Sequence, residues 1–179
     1  MYGWRAQIGL LTPSVNTVSE VEWNVHVPEG VSVHAARLLL DRDVTPASIE
    51  AMNEDIERAC ESVATADVDA VVYGVTAGSF LEAAGFDVVA LSARGIDDGA
   101  ALAAPTPGSA YRQAKRFDSA EADAVYISGM NYHVLPMLPK LEADLGKPVL
   151  SSNQVSIWDA LRTVDVDYSG IELGTLFEQ

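Results

Sequence analysis

The stretch from Ala70 to Phe80 reads AVVYGVTAGSF, a short apolar run followed by small and polar residues. The run Ala70–Tyr73 is too short for a buried helix and is typical of a parallel strand covered on both faces. In the loop that follows, the backbone can approach a ligand, and the hydroxyls of Thr76 and Ser79 can help backbone N–H groups hold an anion. An ordinary strand-to-helix turn would have the same composition. The stretch therefore predicts an open α/β sheet with a ligand site at the carboxyl end of this strand.

The composition predicts a single domain. The chain has 179 residues, of which 49% are hydrophobic, enough for one substantial core. No apolar run is long enough to span a bilayer and the first residues lack a signal-peptide core, so we expect a cytoplasmic protein. The single cysteine, Cys60, allows neither an internal disulfide nor a thiolate metal site.

The net charge of −15, from 26 acidic and 11 basic residues, restricts the partners. Such a surface repels phosphate backbones and anionic lipids, so we expect no nucleic-acid and no membrane partner. An acidic surface poor in lysine is also typical of halophilic proteins, where salt screens the self-repulsion. A site for an anionic ligand must then be built from local donors.

Periodicity and capping residues predict the remaining elements. Thr45 and Pro46 begin a helix that continues to Ala66, and Cys60 lies on its apolar stripe, where we expect the thiol to be buried. Beyond Asp165 we expect a loosely held tail. Further strands are predicted at Ala6–Leu11, Val31–Ala35, Phe86–Leu91, Ala124–Ser128 and Pro148–Leu150, and further helices from Val18 to before Pro28 and at Ser109–Phe117, Leu135–Leu145 and Gln154–Thr163. The fold class is therefore α/β, with an open, mostly parallel sheet flanked by helices.

The turn after the first strand contains good N-cap residues, Ser14, Asn16 and Thr17. Capping alone would explain them. The functional alternative is that Asn16 and the following helix N-terminus bind a carboxylate.

Four motifs stand at the carboxyl ends of predicted strands. They are Pro13-Ser14-x-Asn16-Thr17, Tyr73-x-x-Thr76-Ala77-Gly78-Ser79-Phe80, Tyr126-Ile127-Ser128-Gly129 and Ser151-Ser152-Asn153-Gln154-x-x-x-Trp158. In this order they resemble the maleate isomerase and arylmalonate decarboxylase branch of the Asp/Glu racemase superfamily. The resemblance implies two pseudo-symmetric α/β halves and a small carboxylate ligand between them, bound without any cofactor or metal.

The resemblance also implies two facing catalytic cysteines, and both are missing. The first would fall at Val75 and the second at Gly129. Family elements between the GSF loop and the FLEAAGFDVV segment are absent as well, since these segments run together at Phe80-Leu81. The resemblance thus divides residues 1–179 into a truncated first half, about 1–80, and a remainder, 81–179.

Three hypotheses remain. The chain is a cofactor-independent isomerase, racemase or decarboxylase of small carboxylic acids, with Tyr132 or His133 as replacement acid or base, although helix-entry packing would also explain these two residues. It is, alternatively, an inactive relic or carboxylate-binding protein. It is, finally, a deletion variant completed by domain swapping, and we expect a homo-oligomer. The resemblance implies that the carboxylate is held by Asn16, Thr76, Ser79, Ser152 and Asn153.

Overall fold

The central strand of the first sheet is formed by the N-terminal part of the chain. The computed structural model describes residues 2–75 and 86–179. Its first sheet has three parallel strands, in the order β2-β1-β3. Ala6 of β1 lies opposite Val31 of β2, and Ile8 of β1 lies opposite Ala70 of β3. The strands are β1 (Ala6–Pro13), β2 (Val31–Leu38) and β3 (Ala70–Tyr73).

The second sheet consists of two short parallel strands, β4 (Val125–Ile127) and β5 (Val149–Ser151), with Val125 opposite Val149. Six α-helices accompany the sheets in the described part of the chain: α1 (Ser19–His26), α2 (Pro46–Asn53), α3 (Ile56–Ala64), α4 (Pro107–Phe117), α5 (Leu138–Leu145) and α6 (Ser152–Thr163). Short 3-10 helices occupy Ala101–Ala103, Leu135–Met137 and Thr175–Glu178. The predicted fold class, an open parallel α/β arrangement flanked by helices, is confirmed.

Capping residues define several helix ends, of which those at Thr45 and Gly146 were predicted and that at Thr106, before the predicted start of its helix, was not. Thr45 and Ser48 form a reciprocal capping box at the start of α2. Thr106 accepts a hydrogen bond from the Ser109 N–H at the start of α4. Gly146 ends α5 with a positive φ of 66°.

The two faces of β1 contact different cores, because successive side chains of a strand point to opposite sides. Ile8 and Leu10 belong to a large cluster that joins the first sheet to α1, α5, α6 and the second sheet. Leu11 belongs to a smaller apolar cluster with residues of α2 and α3. We call this second group the α2/α3 cluster; its buried members are Leu11, Ala36, Leu38, Leu40, Met52, Ala59 and Val63.

The predicted continuous helix from Thr45 to Ala66 is two helices. The chain leaves helical geometry at Asp55, which has φ −93° and ψ 1°, and the Asp55 carboxylate accepts hydrogen bonds from Arg58 at 2.6 and 2.5 Å. This i,i+3 ion pair supports the first turn of α3. Ala59 is fully buried, while Cys60, expected to be buried, is only half-buried at the margin of the α2/α3 cluster.

Two predicted features of the central region are wrong. Strand β3 is not covered on both faces, because Val71 and Tyr73 are 46% and 44% exposed and β3 is an outer strand of the described sheet. An apolar run of four residues cannot by itself distinguish a central strand from an outer one. Phe86–Leu91 forms no strand, since it has no pairing partner among the described residues and its side chains are mostly exposed.

The expectation of a loosely held tail is also wrong. Leu173 and Phe177 are buried in the large cluster. The Gln154 side chain donates a 2.5 Å hydrogen bond to the Leu173 carbonyl, which anchors the tail to α6. The apolar residues of the tail are too widely spaced to form a periodic pattern, so the sequence gives little sign of this packing.

No helix in the described ranges combines the length and the apolar character that a membrane crossing requires.

Candidate functional site

Loops at the carboxyl ends of both sheets meet in one region, which we call the junction. It comprises the turn and first residue of α1, residues 16–19; the loop after β4, residues 129–131; and the first residues of α6, Ser152 and Asn153. The Asn131 side chain accepts a hydrogen bond from the Thr17 N–H at 3.0 Å, and its amide nitrogen donates to the Gly99 carbonyl at 2.8 Å. The Asn131 side chain therefore ties the loop after β4 to the turn before α1.

Asn16 is buried in the junction. Its Oδ1 accepts hydrogen bonds from the N–H groups of Val18 and Ser19 at 2.9 and 3.0 Å, which is how a side chain caps a helix. Its Nδ2 donates to the Ser19 hydroxyl at 2.9 Å. Asn16 therefore fixes the start of α1, and one hydrogen of its amide group remains for another acceptor.

Ser152 and Asn153 open α6 and tie it to the rest of the junction. The Ser152 hydroxyl accepts from the Gly129 N–H at 3.0 Å and lies 2.9 Å from the Tyr126 hydroxyl. The Asn153 Oδ1 lies 3.1 Å from the Ser19 hydroxyl, so the first turns of α1 and α6 are in direct contact. Both helix N-termini, with their partial positive charge, are thus brought to one place.

Thr76 and Ser79 lie outside the described residues, and their predicted role in binding stays a prediction. Whether Asn16, Ser152 and Asn153 bind a carboxylate is likewise a prediction. The structure does bring these three residues together.

The two positions at which the resemblance places thiols lie on loops that approach each other. A Cβ built on Gly74, directly after β3, would lie 3.2 Å from the terminal methyl of Met130, directly after Gly129. The same Cβ would lie 2.8 Å from the Leu11 carbonyl oxygen, so the close approach requires glycine. The Val75 side chain packs against the α2/α3 cluster.

Gly129 has a φ of +134°, a conformation that residues with a side chain rarely adopt. A side chain at this position is therefore disfavoured by the backbone itself. In the described part of the chain, neither thiol position offers a group that could transfer a proton.

The candidate acid or base residues, Tyr132 and His133, lie next to the junction. The Tyr132 hydroxyl is buried and has no hydrogen-bond partner among the described residues. Burial raises the pKa of this hydroxyl, and the nearby Arg94, whose guanidinium lies 5.5 Å from the ring centroid, opposes that rise. The His133 ring is about half exposed, and its Nδ1 lies 2.9 Å from the Glu22 carboxylate on the side of α1.

Two buried polar residues here were not anticipated from the sequence. Glu22 is 3% exposed, and desolvation raises its pKa, against the opposing effect of hydrogen bonds from His133 and Asn153. Thr12, near the carboxyl end of β1, is fully buried, and its hydroxyl has no partner among the described residues. Glu22 follows the buried Val18 by four residues, so the two side chains lie on the same, inward face of α1. This spacing is the sequence signal that could have predicted the burial of Glu22.

In residues 2–75 and 86–179, no group of three His, Cys, Asp or Glu side chains is placed to hold a metal ion.

The fold resembles solved structures over nearly its whole length. Maleate cis-trans isomerase of Nocardia farcinica, bound to TRIS, superposes with a TM-score of 0.88 at 20% sequence identity, covering 96% of this chain and 97% of that one. Maleate isomerase of Pseudomonas putida S16, in a complex with maleate, gives a TM-score of 0.87 at 18% identity, with coverage of 96% and 97%. A double mutant of arylmalonate decarboxylase in its liganded form gives 0.77 at 19% identity, with coverage of 97% and 99%.

The chain therefore has the fold of the maleate isomerases and of arylmalonate decarboxylase. The sequence itself matches the arylmalonate decarboxylase family over residues 13–177. The chain therefore belongs to the arylmalonate decarboxylase family. No curated protein sequence matches it significantly.

Proposed function

We propose that this protein binds a small mono- or dicarboxylate at the junction and does not perform thiol-dependent isomerisation, racemisation or decarboxylation. The observation that carries the proposal is that the loops after β3 and β4 approach each other. The resemblance places one thiol on each loop, and this chain has Val75 and Gly129 at those positions. A two-base proton transfer needs ionisable groups at both places. Binding needs only hydrogen-bond donors.

Neutral donors at the junction support carboxylate binding. The N-termini of α1 and α6 converge there, as the contact between Ser19 and Asn153 indicates, and the second amide hydrogen of Asn16 is left for a ligand. The Thr12 hydroxyl, near the carboxyl end of β1, is buried without a partner in the described ranges, and we infer that it is a further donor to the ligand. The proposed binding residues are Asn16, Ser152 and Asn153, together with Thr76 and Ser79, which lie outside the described residues.

The affinity should be low. Each neutral hydrogen bond contributes about 1 kcal/mol net. Most side-chain donors of the junction already have protein partners, so a ligand gains few new bonds. We expect dissociation constants near the millimolar range, about −4 kcal/mol.

One observation favours a second candidate, an active cofactor-independent enzyme. The Tyr132 hydroxyl is buried without a partner among the described residues, and its raised pKa keeps it protonated at neutral pH. Such a group could donate a proton to a carbanion formed at the junction. His133 is a weaker candidate, because its Nδ1 faces Glu22 on the flank of α1.

Binding can be tested by isothermal titration with malonate, maleate and phenylmalonate. The variant Thr12→Val removes one buried hydroxyl, and we expect affinity to fall about tenfold with stability unchanged or raised, because an unpartnered hydroxyl is costly to bury. The control, Thr65→Val, removes an exposed hydroxyl at the end of α3. Absence of binding by the parent protein, or equal affinity of the two variants, contradicts the proposal.

Turnover can be tested by NMR with maleate, aspartate and an arylmalonate, in low and in molar salt. We expect no conversion by the parent protein. Robust conversion that is lost in Tyr132→Phe would establish the second candidate. The double variant Val75→Cys with Gly129→Cys is the matching gain-of-function test, although the φ of Gly129 makes its second change costly.

A further inference from the structure

The carboxylate of Glu22 is the most deeply buried charged group beside the junction. Its Oε1 lies 2.9 Å from His133 Nδ1 and 3.4 Å from the Leu135 backbone nitrogen. Its Oε2 accepts a 2.6 Å hydrogen bond from Asn153 Nδ2. A buried carboxylate is tolerated only when its oxygens are satisfied, and Glu22 meets this condition with three groups from two separate segments, residues 133–135 and the start of α6.

The contact with Glu22 determines which way the Asn153 amide points. Asn153 Nδ2 donates one hydrogen to Glu22 and the other to the Met130 carbonyl at 3.0 Å. Both hydrogens of the amide are then used, so Oδ1 must face the Ser19 hydroxyl, 3.1 Å away.

The Asn153 amide contacts Ser19, and Ser19 contacts Asn16, so the amide orientation also affects side chains of the first half of the protein. The Ser19 hydroxyl can donate to Asn153 Oδ1 or to the Met130 carbonyl, and it accepts from Asn16 Nδ2 at 2.9 Å. Glu22, Asn153, Ser19 and Asn16 therefore form one continuous chain of hydrogen bonds. A carboxylate at one end of this chain fixes the directions of the donors along it.

We propose that Glu22 is the positioning residue of the junction. It holds the amide of Asn153, and through Ser19 the amide of Asn16, in one fixed orientation, which leaves the second amide hydrogen of Asn16 as the donor for a carboxylate. His133 supports Glu22 from the opposite side. This inference rests on the proposed function, but the orientation of Asn153 can be measured without any ligand.

The decisive variants are Glu22→Gln and Glu22→Asp. The glutamine keeps the length and one acceptor oxygen for Asn153 but removes the charge; the aspartate keeps the charge but is one methylene too short to keep the 2.6 Å contact. The control, Glu29→Gln, removes the same charge from an exposed turn. Malonate affinity and the two side-chain amide proton signals of Asn153 are measured in all four proteins.

We expect Glu22→Gln and Glu29→Gln to bind malonate within about threefold of the parent, and Glu22→Asp to bind it about tenfold more weakly, as loss of one charge-assisted hydrogen bond implies. The Asn153 amide signals should stay separated in the first two variants and move towards those of a solvated amide in Glu22→Asp. Retained affinity and unchanged signals in Glu22→Asp would overturn the inference. So would equal losses in Glu22→Gln and Glu22→Asp, which would indicate an effect of charge.

A second variant keeps the inference testable if Glu22→Asp does not fold. Ser19→Ala removes the hydroxyl next to Asn153 Oδ1 but leaves both donations from Asn153 Nδ2 intact, so we expect the Asn153 amide signals to stay separated. Their collapse would show that Glu22 does not hold the amide. If the parent protein fails to bind malonate, the proposed function falls, whereas the amide signals still decide the role of Glu22.

Discussion

Helices α1 and α3 show opposite relations between sequence and burial. In α3 the apolar stripe faces inward, and Ala59 and Val63 are buried in the α2/α3 cluster. In α1 the buried residues are Trp23 and the polar Ser19 and Glu22, whereas Val21 and Val25 are 62% and 68% exposed.

The difference follows from what each helix contacts. The α2/α3 cluster is apolar, so burial is driven by the transfer of hydrocarbon from water. Helix α1 contacts a network of hydrogen-bonding groups at the junction, where only polar side chains can satisfy the buried partners. The only cysteine, Cys60, lies beside the apolar cluster, and the polar junction has no thiol.

The largest effect is expected in the apolar cluster. Met52 is 1% exposed, and Met52→Ala should lower the free energy of unfolding by about 2–5 kcal/mol, because it removes buried methylene groups and leaves a cavity. Urea denaturation measures the loss. The control Met52→Leu should cost less than about 1.5 kcal/mol. If Met52→Ala also abolished malonate binding in the folded protein, the separation between cluster and junction would be wrong.

A smaller effect is expected at the backbone of the junction. Gly129→Ala forces a side chain onto a residue with φ +134°, and the unfolding free energy should fall by about 1–3 kcal/mol. Gly108, near the start of α4, has no positive φ, and a Cβ there meets only an ordinary contact at 3.6 Å. Gly108→Ala should therefore be neutral or stabilising in the same denaturation experiment. Equal losses in the two variants would contradict the assigned strain.

The smallest effect concerns the pH dependence of stability. Burial raises the pKa of Glu22 above 4.5 in the folded protein, so between pH 4.5 and the raised pKa the folded state binds more protons than the unfolded state. The contribution of Glu22 to stability is therefore fully present below about pH 4.5 and is lost as the pH rises through the folded pKa.

Comparison with Glu22→Gln isolates this contribution. The stability of the parent relative to the variant should fall with rising pH, by at most about 1.4 kcal/mol per pH unit, the limit for one proton. Urea denaturation at a series of pH values measures the difference. A parent that gains stability over Glu22→Gln as the pH rises would show that hydrogen bonding to the carboxylate outweighs its desolvation.

Much of the candidate site could be located from the sequence, because strand ends and N-cap residues have local signatures. Asn16, Ser152 and Asn153 were each placed at a strand's carboxyl end, and the structure brings them into one region. Their hydrogen-bond partners could not be predicted. Asn153 and Glu22 are 131 positions apart in the chain, and no local pattern links them.

The sequence by itself determined the α/β class, most strands and helices, and the absence of thiols at Val75 and Gly129. These properties depend on side-chain periodicity, on capping residues and on residue identity, all of which are local. Tertiary structure alone decided that β3 lies at an edge of the described sheet, that α1 buries Glu22 and exposes Val21, and that the tail packs against α6. Each of these outcomes depends on which distant surface covers a residue, because burial and hydrogen bonding are properties of neighbours in space.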